Sequence, residues 1–385
     1  VSYDQLPVEL PLDVKLGEKG QSPLHNLESF YKTDCPKCNA PARRDTDTLD
    51  TFICSSWYFD RYTSPRQEDS PFSSKDNGYW MPVDQYVGGI EHAILHLLYS
   101  RFFNLVLNDL GLTQVQEPFD HLLTQGMVIK DGAKMSKSKG NVVDPDEIIK
   151  SYGADTARIF ILFAAPPVKD LEWSDKGVEG CSRFLKRVWR IFFEFAEDVK
   201  TATPPDENFS TSVKELKELR RMTHITIRRV TEDIEKRMQL NTAIAAIMEL
   251  VNHLYHFKEW KEKQNEVTES VQTVIREAME SLILTLSPFA PHIAQEMAAN
   301  LNFSDTLDQE KWPLYKEEIT QTDEILIVVQ VNGKVRQKIQ VASRISDEDL
   351  KSLSLKDPRI QEWTQGKEIK KVIIVPKKLV NIVVK

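Results

Sequence analysis

"KMSKSKGNVVDP", residues 134–145, places three lysines, a methionine and two serines ahead of a glycine and an Asp-Pro step. Lysine carries three donors on a compact charge at the end of a flexible stem, which suits following phosphate oxygens as they move. Gly132 before the stretch and Gly140 inside it give such a loop the freedom to swing, as lids over phosphoryl chemistry do. A catalyst that cleaves a nucleoside triphosphate between its α- and β-phosphates needs positive charge on the departing pyrophosphate. Its main tools are positioning and electrostatics, and Lys134 and Lys137 are spaced for that task. A bare KxxK is usually a solvated turn; KMSKS followed by Gly-Asn and Asp-Pro is far more specific.

Outward from this loop, 385 residues are too many for one compact core, so two or three domains are expected. Hydrophobic content of 41% and charged content of 28% are those of a globular chain. No stretch approaches the roughly 20 consecutive apolar residues of a membrane span, and no basic-then-apolar signal segment opens the chain. Four cysteines fit a reducing compartment better than a disulfide framework. The expectation is a cytoplasmic protein. A net charge of −8 argues against one that coats nucleic acid nonspecifically, yet local basic runs exist. Arg183, Lys186, Arg187 and Arg190 recur at helical spacing, as do Arg220, Arg221, Arg228, Arg229, Lys236 and Arg237. The final sixteen residues carry five lysines, Lys377 and Lys378 among them, and no acid. Singly each run reads as a solvated face; on three separate elements they suggest an RNA-facing side.

Residues 1 to about 180 mix short β-type runs with helical stretches and loops. "GGIEHAILHLLYSRFFNLVL" repeats apolar residues at 90, 94, 97, 98, 102 and 105, a helical period opened by Gly88-Gly89. His92 and His96 are then read on one helix face. From 178 to 298 four long amphipathic segments predict an antiparallel bundle, the last running unbroken through "VTESVQTVIREAMESLILTLSPFAPHIAQEM". In the tail, two alternating β-branched runs flank Asn332-Gly333, a strong hairpin signal. A helix opened by Ser346 with Asp349 as its capping partner and two strands about Pro376 follow.

The KMSKS stretch resembles the second signature of the class I aminoacyl-tRNA synthetases, and "YGADTARIF", 152–160, continues as that family does. "DTDTLDTFICSSWYFDRY" and "VDQYVGGIEHAILHLLYSRFF" resemble the leucyl-tRNA synthetase family of the bacterial type, through all 385 residues. The resemblance implies an α/β fold: the second half of a Rossmann-like nucleotide-binding domain over 1–177. A helical anticodon-binding-type bundle over 178–318 and a small α+β tRNA-binding domain over 319–385 would follow. It implies Mg2+ and ATP, leucine and tRNA(Leu) as partners. Lys137, helped by Lys134, would bind ATP in activation; Gly89, Glu91 and His96 would lie at its nucleoside, and Met127 and Val128 would meet adenine through their backbone. Phe52, Ser55, Tyr58 and His92 would hold leucine. Arg183, Lys186, Arg187, Arg190, Arg220, Arg228, Lys377 and Lys378 would face tRNA.

Two features depart from a complete enzyme. None of the eight histidines forms the first signature, His-x-Gly-His, since "HLYH" at 253–256 lacks the glycine. The editing insertion is also absent, and "GMVIKDGAKMSKS" carries no leucine-specific insertion. With Val1 at its start, the chain reads as the carboxyl-terminal portion of the synthetase, requiring the amino-terminal half from the same chain or a partner. A sheet so divided is expected to leave an apolar face uncovered. The rival readings are a natural small subunit of a split synthetase and a non-catalytic tRNA-binding paralogue; an intact lysine loop argues against the second. Cys35 and Cys38 in "CPKC" have the spacing of half a zinc site, but no second pair is marked, so two free thiols are expected.

Overall fold

The computed structural model describes residues 1–12, 14, 22–264, 266–322, 324–343, 345–376 and 378–385. The chain divides into two compact units, Val1–Gln125 and Gly126–Lys385, so the 1–177 segment spans the first and enters the second.

In the first unit a short helix α1 (Glu28–Tyr31) leads into the antiparallel hairpin of β1 (Lys32–Asp34) and β2 (Pro41–Arg43). Helices α2 (Phe52–Ser55), α3 (Tyr58–Tyr62) and α4 (Ser74–Trp80) precede β3 (Tyr86–Gly89), α5 (His96–Asp109) and β4 (Leu122–Gln125). β3 and β4 pair in parallel, with α5 as their crossover, the unit from which parallel sheets are built. Its centre is partly polar. Asn77 donates to the Asp60 carboxylate at 2.9 Å and accepts from Thr113 at 2.7 Å, all three buried. A single parallel pair leaves apolar surface exposed, including Val87, Ile94, Leu98, Phe102 and Leu122. The uncovered face expected from the sequence is therefore observed.

The second unit opens with β5 (Val128–Lys130), which pairs antiparallel with β6 (Ala133–Lys134) and parallel with β7 (Leu171–Glu172). Gly126 has no room for a side chain: a Cβ there would lie 2.1 Å from the Lys169 backbone. Between β6 and β7 lie α6 (Pro145–Tyr152), capped by Asp144 with Pro145 in its first turn, and α7 (Ala154–Ala164).

The bundle comprises α8 (Asp175–Val199), α9 (Lys214–Glu232), α10 (Leu240–Lys261), α11 (Glu269–Leu286) and α12 (Pro291–Asn300). On α8, Val178, Cys181, Leu185, Val188, Phe192, Phe195 and Val199 are buried at three- and four-residue steps, a stripe facing the core. The last amphipathic segment is not one helix as expected. It breaks after Leu286, because Pro288 and Pro291 interrupt the hydrogen-bond ladder, and α7 satisfies the groups left open. Asp155 accepts from the Ile293 amide at 2.7 Å and from His292 Nδ1 at 2.8 Å, while Arg158 donates to the carbonyls of Pro288 and Phe289 at 2.9 and 3.2 Å.

After α13 (Glu317–Thr320) come β8 (Glu324–Val331), β9 (Lys334–Ala342), α14 (Asp347–Lys356), α15 (Pro358–Thr364), β10 (Ile369–Val375) and β11 (Leu379–Val384). The sheet order is β10-β11-β8-β9, with β11 and β8 parallel. Asn332 and Gly333 turn the β8–β9 hairpin at φ 49° and 76°, as the Asn-Gly signal predicts. α15 was not expected; its signal is Asp357 capping before Pro358. Ile327, Val329, Ile360, Val380 and Ile382 form a separate core.

One buried ionic cluster ties α9, α11 and the approach to α13. Arg220 donates twice to the Glu277 carboxylate at 2.8 and 3.2 Å. His224 Nδ1 accepts from the Lys316 amide at 2.9 Å, so its Nε2 is the donor to Glu277 at 3.1 Å. Burial pushes the Glu277 carboxyl up, but His224 and Arg220 outweigh it and hold the group below its ordinary value of 4.5. Glu277→Ala strands a buried guanidinium and should cost about 3–5 kcal/mol, read as a lower urea midpoint followed by helical circular dichroism. Because the folded pKa is the lower one, this contribution is present above the unfolded value and disappears as pH falls through the folded one. Acid unfolding of Glu277→Ala should lack that component.

Candidate functional site

A cavity of about 370 Å³ opens in the first unit, where α2, α3, β3, α5 and β4 converge. Asp50 accepts from the Phe52 amide at 2.8 Å and Ser55 donates to the Phe52 carbonyl at 3.0 Å, fixing the turn that presents both residues. Phe52, Ser55, Tyr58, Gly89, His92 and His96 all line this space. Six residues singled out from the sequence thus come together, from a segment 45 residues long by number (52 to 96). Glu91 is not among the lining residues, but its carboxylate lies over Gly89: a Cβ there would sit 2.2 Å from Glu91 Oε2. Glycine at this position leaves the carboxylate its place.

His92 and His96 do not share a helix face as read from their spacing. His92 ends a 3-10 turn, Ile90–His92, and His96 begins α5. The chain unwinds between them because it is leaving β3, and their rings still approach to 6.2 Å.

Sequence reasoning missed Tyr86, which forms the centre of the cavity wall. Its ring stacks on Phe119 at 3.9 Å, and its hydroxyl bonds Tyr58 Oη at 2.8 Å and His96 Nε2 at 2.5 Å. Burial and the neighbouring Tyr58 push the Tyr86 phenol far above its usual range. Burial, with His92 nearby, pulls His96 below its ordinary value. Both groups are neutral at neutral pH. Tyr86 Oη thus bridges Tyr58 and His96, donating to one and accepting from the other according to the His96 tautomer, so that three side chains form one hydrogen-bonded chain. The only sequence signal for Tyr86 was its place one residue before "VGG".

The lysine loop belongs to the second unit. Asp131 and Gly132 turn β5 into β6 at φ 56° and 70°. Ser136 then caps a 3-10 turn, Lys137–Lys139, which Gly140 closes at φ 66°. Asn141 pins the whole loop: it accepts from the Ser136 amide at 2.9 Å and donates toward the carbonyls of Lys130 at 3.2 Å and Lys134 at 3.3 Å. The Gly-Asn pair of the motif thus has a mechanical role. Lys134 and Lys137 are exposed, and no ion pair is described for either among the described residues.

Met127 already uses both main-chain groups: its amide donates to Asp170 at 2.7 Å and its carbonyl accepts from Leu171 at 2.9 Å. Val128, the other residue expected there, is exposed, and its carbonyl accepts from the Met135 amide at 3.5 Å.

Among the basic residues the structure makes a clear division. Arg220, expected to face tRNA, is instead buried against Glu277 and over the Phe209 ring, only 8% exposed. Arg228 is committed to Glu317 at 2.9 Å, and Arg187 lies over Tyr255 and bonds Asn252. Arg183, Lys186, Arg190 and Lys378 are exposed. Lys377 lies outside the described residues.

Cys35 and Cys38 sit in the β1–β2 turn, where the Lys37 and Cys38 amides lower the Cys35 thiol pKa. Among the described residues no group of three or more His, Cys, Asp or Glu side chains is gathered as a metal site. Burial pushes Cys181 up to about 11.

Residues 13–174 match the family model of class I tRNA synthetases (I, L, M and V), and 217–351 that of the anticodon-binding domain of tRNA ligase. The chain is 53% identical over all its 385 residues to a leucine-tRNA ligase of Syntrophobacter fumaroxidans (strain DSM 10017 / MPOB), of which it covers 46%. The crystal structure of a LeuRS from Agrobacterium radiobacter K84, a ternary complex with tRNA and LeuAMS, is 37% identical. It matches 99% of this chain and 48% of its own, with a TM-score of 0.82. A Mycobacterium tuberculosis methionyl-tRNA synthetase in complex with methionyl-adenylate, at 17% identity and TM-score 0.49 over 69% of this chain and 51% of its own, is too distant to support an argument.

The fold, the pinned lysine loop and the bundle are thus those of a class I tRNA synthetase. More narrowly, over its whole length the chain is similar to leucine-tRNA ligases, and it spans about half the length, 46%, of the curated relative it matches.

The state of His96 is directly measurable. Its imidazole should titrate below the ordinary value of 6.5 and be neutral at pH 7, as followed by two-dimensional NMR of the ring. Tyr86→Phe removes a hydrogen-bond partner from the half-buried Tyr58 and His96 and should move the His96 titration; an unchanged titration would refute the bonded chain.

Proposed function

We propose that this chain carries part of a leucine-tRNA ligase: one wall of the leucine and ATP site, the lysine loop, and surfaces that bind tRNA(Leu). The observation that carries the reading is the meeting of Phe52, Ser55, Tyr58, His92 and His96 around one cavity of about 370 Å³. That size falls within the range of small-molecule sites, and its apolar walls with a few polar groups suit an isobutyl side chain and an orienting contact.

The reaction has two steps. The leucine carboxylate attacks the α-phosphorus of ATP, the bond to the β-phosphate breaks, and leucyl-adenylate and pyrophosphate result. A terminal ribose hydroxyl of tRNA then attacks the adenylate carbonyl and AMP leaves. Lys137, with Lys134, stabilises charge on the departing pyrophosphate; both are exposed and without a described competing carboxylate, as a loop that closes on substrate requires. Gly89, Glu91 and His96 take the nucleoside, Glu91 accepting from ribose hydroxyls, and Val128 offers backbone to adenine. Phe52, Ser55, Tyr58 and His92 hold leucine. Mg2+ would enter with the phosphates and its own waters and would offset their charge.

In this reading 1–177 is catalytic, and 178–318 and 319–385 bind tRNA through Arg183, Lys186, Arg190 and Lys378. No described helix is long and apolar enough to cross a membrane, and the assigned compartment is the cytoplasm.

Leucine-dependent ATP–pyrophosphate exchange tests the assignment, on this chain alone and mixed with the part of the Syntrophobacter relative that it does not span. Exchange should need both parts, and Lys137→Ala should lower it by about 100- to 1000-fold. If the parts associate and bind tRNA(Leu) yet no exchange appears, the chain is an RNA-binding module and the catalytic assignment fails.

A further inference from the structure

One face of α8 is unexplained by packing. Trp189 and Phe193, one turn apart, have ring centroids 4.6 Å apart at 60° and remain 38% and 42% exposed, while the opposite stripe of the same helix is buried. They line a groove of about 920 Å³ with Lys186 and Arg190 beside them, walled by Tyr152 of α6 and Ile293 of α12. Large aromatic rings left in water forgo the burial that is their main contribution to folding.

The electrostatics of the groove are one-sided. Two carboxylates border it, and both are already committed. Asp155 takes the first amides of α12 and His292, and Glu194 pairs with Lys258 at 2.8 Å. Lys186 and Arg190 are exposed, and no ion pair is described for either among the described residues. The free charge is therefore positive and stands within one turn of the rings, since residues three and four apart share a helix face. An apolar protein surface would match the rings and leave two cations facing it unpaired. A nucleotide matches both, with a π-face for the rings and phosphates for the cations.

We propose that this groove is a nucleobase pocket, in which an unpaired, unstacked nucleotide of the bound RNA lies against Trp189 and Phe193 with Lys186 and Arg190 on its flanking phosphates. The inference rests on the tRNA-binding reading above and adds to it a site for one splayed base, as single-stranded RNA is commonly held.

Fluorescence anisotropy of a labelled tRNA(Leu) transcript, titrated with the whole chain over a salt series, tests it. Trp189→Ala should weaken binding roughly 5- to 100-fold with little change in salt slope, and Trp189→Phe should recover most of the loss. Phe193→Leu, which keeps apolar volume and removes the π-face, should also weaken binding. Arg190→Ala should instead lower the salt slope by about one. If wild type binds and both Trp189→Ala and Phe193→Leu bind equally well, the pocket is refuted and the wider RNA reading stands. If the wild-type chain binds no tRNA at low salt, that reading falls and takes the pocket with it. Should Trp189→Ala dissociate a dimer of the chain while tRNA affinity holds, the rings belong to a protein contact and the proposal is likewise overturned.

Discussion

Asp155 and Arg158, one turn apart on α7, close the break between α11 and α12 from opposite sides. Helix ends leave amides and carbonyls without partners, and prolines at 288 and 291 prevent the chain from supplying its own. The carboxylate takes the opening amides of α12 and the guanidinium takes the carbonyls after α11. The same α7 follows α6 and the lysine loop in the chain, but the loop itself is held by Asn141.

The two units solve the problem of stability differently. The second buries an extended apolar core, with residues such as Ile247, Leu250, Leu282 and Phe289 almost fully enclosed, and adds a buried ionic cluster whose members satisfy one another. The first centres partly on a polar chain, Asp60, Asn77 and Thr113, while leaving Leu98 and Phe102 in water. Burial raises the Asp60 carboxyl to about 6, a sign of how little solvent reaches it. Apolar exposure beside a buried polar network is what one parallel strand pair with one crossover helix can offer. The cavity nevertheless forms, because it depends on local turns and on the Tyr58, Tyr86 and His96 chain.

The lysine loop divides labour between rigid and free parts. Asn141 and the left-handed Gly140 hold its backbone by hydrogen bonds within eleven residues. The lysine side chains themselves stay unconstrained in water. A loop so built would order at low entropic cost on a charged ligand while its donors stayed able to follow it.

By itself the sequence determined whatever is local. The loop and its glycines, the Asn332-Gly333 hairpin, the caps at Ser346 and Asp144 and the amphipathic stripe of α8 are all set by residues within a turn or two of one another. The leucine-family segments likewise carried Phe52, Ser55, Tyr58, His92 and His96 to one cavity. Tertiary structure alone decided the rest. Arg220 and Arg183 look alike as charges in a helical run, yet one is buried against Glu277, 57 residues away, and the other faces water. Tyr86 became central because β3 brings it against Phe119 and His96. The helix expected through residues 267–297 breaks at Pro288 and Pro291, a local signal, but only the tertiary structure decides that Asp155 and Arg158 of α7 meet the groups left open. In each case the outcome turns on which distant group meets a charge, a hydroxyl or an open backbone amide, and spacing along the chain does not encode that meeting.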